Sequence, residues 1–70
     1  MTFTAIIEPT NTGFSGYVAE LEGQIIAAGE TVDEVAQLLE EATENFVTEL
    51  RAEGKPIPES QIEVRELYIA

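Results

Sequence analysis

Thr31-Val32-Asp33-Glu34-Val35-Ala36-Gln37-Leu38-Leu39-Glu40-Glu41-Ala42-Thr43-Glu44-Asn45-Phe46-Val47-Thr48-Glu49-Leu50-Arg51-Ala52-Glu53-Gly54 carries an apolar stripe at helical spacing. Val35, Leu39, Ala42, Phe46 and Leu50 form the stripe, and Val32 and Leu38 widen it. The start is well marked. Thr31 can accept from the free amides of the first turn, and Glu34 three residues on can reach back to the amide of Thr31. Asp33 and Glu34 lie where the helix dipole favours negative charge. The end is as plain: Arg51 falls in the last turn, Gly54 suits a left-handed cap, and Pro56 cannot continue a helix. The opposite face carries Asp33, Gln37, Glu40, Glu41, Glu44, Thr48 and Glu49.

Strand signals flank this helix. Thr2–Glu8 is β-branched and aromatic, with Phe3, Ala5 and Ile7 on one face. Pro9-Thr10-Asn11-Thr12-Gly13 is a turn cluster. A second strand is expected over Gly16–Leu21, with Tyr17, Ala19 and Leu21 on one face, and Glu22-Gly23-Gln24 is short enough for a tight hairpin. Gln24–Ala28 reads as a third strand. After the helix, Gly54–Ser60 is a linker whose prolines exclude a helix or a central strand. Gln61–Ile69 alternates in its first half and reads as a fourth strand. The whole chain, residues 1–70, is thus one α+β domain of order β-β-β-α-β, one helix on a mainly antiparallel sheet.

One helix covers one sheet face. If Phe3, Ala5, Ile7, Tyr17, Ala19 and Leu21 meet the helix, then Ile6, Val18, one of Ile25 and Ile26, and Leu67 or Ile69 point the other way. Ile6, Val18, Ile25 and Leu67 are accordingly the candidate oligomer interface, in a dimer or tetramer. A chain of this length buries only about 60% of its unfolded surface. It has no cysteine to staple it, so association is the economical way to cover that face.

Fourteen acidic and three basic residues give a formal net charge of −11. Phosphate contacts need clustered Lys and Arg, and Arg51, Lys55 and Arg65 are scattered, so nucleic acid and anionic membranes are disfavoured. No apolar run approaches the roughly 20 residues of a membrane span, and the N-terminus lacks a signal-peptide pattern; a cytoplasmic protein is expected. A basic protein partner is the one such a field attracts, and Glu40, Glu41, Glu44, Glu20 and Glu22 are the candidate binding residues. Histidine and cysteine are both absent, which removes the usual general base and the commonest transition-metal ligands. The carboxylates Glu8, Glu20, Glu22 and Glu30 lie near strand ends and leave open a minimal metal-dependent hydrolase, though without a spacing signature. Gly13-Phe14-Ser15-Gly16 loosely resembles a phosphate loop, but it leads into a strand and has no lysine nearby, so a turn is expected. No catalytic residue, metal or cofactor is expected.

Gly16-Tyr17-Val18-Ala19, then Gly29-Glu30-Thr31-Val32-Asp33-Glu34-Val35 opening the helix, then Gly54-Lys55-Pro56-Ile57-Pro58 resemble the HicB-like antitoxin family. The resemblance runs from about Phe3 to Pro58. It departs from the family at Leu21-Glu22-Gly23-Gln24, where members usually carry a longer Leu-Pro-Gly-Cys-like hairpin. It does not include the DNA-binding domain into which many members continue. What the resemblance implies is a cytoplasmic β-β-β-α-β domain, oligomeric through its sheet. Such a domain pairs with a small basic HicA-like ribonuclease toxin and blocks its cleavage of messenger RNA. An orphan oligomeric structural or regulatory domain without a toxin is the alternative of another class.

Overall fold

The computed structural model describes residues 2–58, 64–65 and 67–69. Strands β1 (Ala5–Pro9), β2 (Phe14–Val18) and β3 (Ile26–Gly29) precede a 21-residue helix, α1 (Val32–Ala52). The strands form an antiparallel sheet in the order β1-β2-β3, and the helix lies across one face of it. This is the expected α+β arrangement.

The helix ends follow from their sequence. Thr31 is extended, and its hydroxyl oxygen accepts from the Glu34 amide at 3.1 Å. The Glu34 carboxylate accepts from the Glu30 amide at 3.3 Å, one residue before the Thr31 amide that the sequence suggests. At the other end Gly54 has φ 69°. The amide of Gly54 donates to the Arg51 carbonyl at 3.2 Å and that of Lys55 to Leu50 at 2.9 Å. Those two bonds are the Schellman pattern. Thr31→Ala is expected to cost about 1 kcal/mol by removing the cap. Glu44→Gln, on an exposed position, should be nearly neutral; urea denaturation of the two variants checks the pair.

Val18, Leu21, Ile25, Val35 and Leu39 make the buried core, each no more than 6% exposed. Phe3, Ile7, Phe14, Ala27, Ala42 and Phe46 pack around it, partly buried. Gly16 pairs with Ile7 and Ala27 at the sheet centre, where a side chain would press on the Cγ1 of Val35 at 3.0 Å. Glycine there lets the helix sit directly on the strand.

Three expectations about facing need correction. Alternation carried back from Leu21 puts Tyr17 and Ala19 under the helix and Val18 away from it. The strand instead ends at Val18, and Ala19–Leu21 form a turn of 3-10 helix. Glu22 (φ 48°) and Gly23 (φ 83°) follow in left-handed backbone, and the Gln24 amide closes the turn on the Leu21 carbonyl at 2.9 Å. Leu21 is buried through the turn and not by strand alternation, so its parity does not transfer to β2. A one-residue slip moves every side chain to the other face. Val18 (2% exposed) and Ile25 (6%) therefore belong to the core, and Tyr17 (39%) and Ile26 (70%) to the open face.

On the helix, Val35 and Leu39 are buried as expected. The line of deepest burial then passes through Thr43 and Val47, with Ala42 and Phe46 on its flank. Val32 and Leu38 are exposed. The fourth strand expected over Gln61–Ile69 lies outside the described residues at 61–63 and 66. Its described residues Val64, Arg65, Leu67, Tyr68 and Ile69 are exposed and in no strand. Leu67, placed by the sequence on the open sheet face, is 81% exposed.

Candidate interaction surfaces

Three surfaces follow from this fold. The first is the sheet face away from the helix. Ile6 pairs with Tyr17, and Tyr17 with Ile26, so one apolar row crosses all three strands. Glu8, Ser15 and Ala28 make the next row of the same face. Of the expected interface residues only Ile6 lies here. Tyr17 and Ile26, which complete the row, follow from where β2 begins and ends.

The second surface is the exposed side of α1. Glu40, Glu41 and Glu44 are all exposed, and among the described residues no ion pair is found on any of them. An exposed pair of Lys55 with Glu53, 3.2 Å apart, lies beyond the helix end. Exposed pairs of this kind contribute little, so the helix keeps its negative field. Glu22 is exposed at the tip of the β2–β3 connection. Glu20 is a different case. Its Oε1 accepts from the Thr4 amide at 2.7 Å, and its carboxylate is turned into the fold, where it fixes the approach of the chain to β1. It is partly buried and serves the structure.

The third surface is a groove of about 730 Å³ between α1 and the β1 side of the sheet. Phe3, Ala5, Val18, Leu39 and Val47 give it an apolar floor, and Glu40, Glu44 and Arg51 stand at its polar edge. Thr43, buried despite its hydroxyl, lines it too. Nothing in a linear pattern marks this groove. It arises because the buried line of the helix shifts to Thr43 and Val47, toward a strand with no described neighbour on its outer side.

Glu8 sits in β1, Glu20 in the 3-10 turn, Glu22 after it and Glu30 before the helix. Among the described residues no three acidic groups converge as a metal ion requires. No described helix is long and apolar enough to cross a membrane. No protein-family model, curated protein or solved structure matches the chain.

Proposed function

We propose that the chain is a non-enzymatic, acidic protein-binding domain that assembles with itself and captures a small basic protein, as a HicB-like antitoxin captures its ribonuclease toxin. The observation that carries this reading is the set Glu40, Glu41 and Glu44, exposed on one rigid helix without ion pairs among the described residues, in a chain of net charge −11. A fixed array of like charges attracts an oppositely charged partner from a distance and repels RNA, which the toxin would otherwise meet. The Ile6, Tyr17 and Ile26 row supports self-association, since burying it relieves a small domain of exposed apolar surface. An orphan oligomeric domain keeps that row and drops the toxin. A cytoplasmic setting accords with the reading.

The test is kinetic. The basic protein that co-purifies from native lysate is purified, and its association with this chain is followed at several salt concentrations. The rate should fall steeply with salt, because screening acts on the long-range field. Reversing Glu40, Glu41 and Glu44 to Lys together should slow association by about tenfold or more at low salt while leaving the helix signal in circular dichroism unchanged. An unaltered rate would reduce the helix face to a solubility device. Retardation of RNA by the parent chain at physiological salt would overturn the electrostatic reading altogether.

A further inference from the structure

Strand β3 is an outer strand of the described sheet, paired with β2 on one side only. The Val18 amide donates to the Ile25 carbonyl at 3.3 Å, and the register continues through Gly16 with Ala27 and Phe14 with Gly29. In an antiparallel ladder, successive residues alternate between bonding the neighbouring strand and facing away from it. The amides and carbonyls of Ile26 and Ala28 therefore face away from β2, at the open edge. Proteins protect such edges with lysine, proline or a bulge. Ile26-Ala27-Ala28-Gly29 has none of these, only four uncharged residues in unbroken register. An edge of that composition is a template for one more strand.

The surroundings of this edge define what the added strand must carry. Glu22 stands before β3 and Glu30 directly after it, both exposed. The Glu34 carboxylate folds back over the end of the strand. It accepts from the Glu30 amide at 3.3 Å, and a side chain at Gly29 would meet its Cδ at 2.9 Å. Leu38 and Glu41 follow Glu34 at helical spacing, which puts them on the same flank of α1, and both are exposed. An added strand turns one row of side chains to this flank and the other to the open face beside Ile26. The flank suits cations around one aliphatic contact, and the open face suits apolar groups.

We propose that the edge of β3 accepts a basic strand of the captured protein, one in which lysine or arginine alternates with apolar residues. The inference rests on the capture proposed above and adds where the partner is held once it has arrived. Approach and retention then have different physical causes. The field of the helix carboxylates acts at a distance and raises the association rate. Main-chain hydrogen bonds along β3 form only on contact, so they act on dissociation.

The first probe is a blocked hexapeptide of alternating lysine and valine, added to the full-length chain and followed by amide hydrogen exchange in NMR. Slower exchange at Ile26 and Ala28 is the expected result, with a hexapeptide of alternating glutamate and valine giving none. Protection at neither residue, or protection confined to β1, would overturn the proposal. So would full protection of both amides in the chain alone, because the edge would then be filled already by the chain itself or by a second copy. Ala28→Pro removes an outward donor at a position where an edge strand tolerates proline. With the co-purified basic protein this variant should dissociate about tenfold faster, while its association rate stays within about twofold of the parent's. An unchanged dissociation rate, in a variant that keeps the parent's circular dichroism, would overturn the edge site and leave electrostatic capture standing. If Ala28→Pro does not fold, Glu22→Lys with Glu30→Lys, on exposed residues at the two ends of β3, should abolish the protection given by the lysine peptide. Capture of no basic protein by the parent would sink the function proposed above, and peptide protection at Ile26 and Ala28 would still establish the edge as a strand-binding site.

Discussion

Leu39→Ala is expected to remove most or all of the stability of this domain. Leu39 is 1% exposed and packs with Val18, Leu21, Ile25 and Val35 at the centre of the core. Truncating a buried leucine costs about 2–5 kcal/mol, the upper end applying where the site cannot collapse. Here collapse is hindered. The backbone on the sheet side is fixed by two ladders of hydrogen bonds, and the neighbouring groove already borders Leu39. A chain of this length commands about 4–10 kcal/mol in total, so the variant should be largely unfolded, or close to it, at 25 °C. Leu38→Ala is the control. That side chain is 41% exposed and its loss should cost well under about 1 kcal/mol. Urea denaturation at equal protein concentration checks both, the fixed concentration guarding against mass-action effects of self-association. Equal losses at 38 and 39, or a larger one at 38, would mean that the helix presents another face to the sheet.

The helix was legible from end to end because its signals are local. Thr31, Gly54 and Pro56 act within a turn of themselves, and no distant residue is needed to interpret them. The order of the strands was legible for a similar reason, since turn residues separate them. Facing was not. It depends on where β2 ends, and nothing in Val18-Ala19-Glu20-Leu21 announces that the backbone leaves the strand for a 3-10 turn after Val18. Parity counted through that turn exchanged Val18 for Tyr17, and with it the composition of the open face. Phe46 misled for a related reason. An aromatic at helical spacing invites the deepest position, yet the helix turns Thr43 and Val47 there instead. Of the proposed docking carboxylates, Glu40, Glu41, Glu44 and Glu22 could be read as exposed from polarity alone. The inward turn of Glu20 could not, because its partner, the Thr4 amide, lies 16 residues away.

Gly13→Ala is the other substitution with a large expected effect, and it tests how the helix is held in place over the sheet. A side chain at position 13 would have its Cβ 2.4 Å from the Gly29 carbonyl oxygen and 3.2 Å from the Cα of Glu30. Both neighbours are backbone, so neither can rotate away. Gly29 pairs with Phe14 at the end of β3 and is followed at once by the Thr31 cap. Moving Gly29 therefore moves the helix start with it. Overpacking of this kind costs about 1–3 kcal/mol, occasionally more, and a rigid neighbour on a strand-to-helix junction argues for the upper end. Gly29→Ala separates this account from a general intolerance of side chains there. Its Cβ would meet the Cδ of Glu34 at 2.9 Å, the far end of a flexible side chain that can swing into solvent. The loss of the exposed Glu34–Glu30 hydrogen bond is then offset by the smaller entropy of the unfolded chain. Gly29→Ala should stay within about 1 kcal/mol of the parent, and Gly13→Ala should lose at least twice that. Thermal and urea melts of the two variants decide it. A Gly13→Ala chain as stable as the parent would show that β2 and the β3–helix junction do not touch so closely. The placement of Val35 over Gly16 would then need a different anchor.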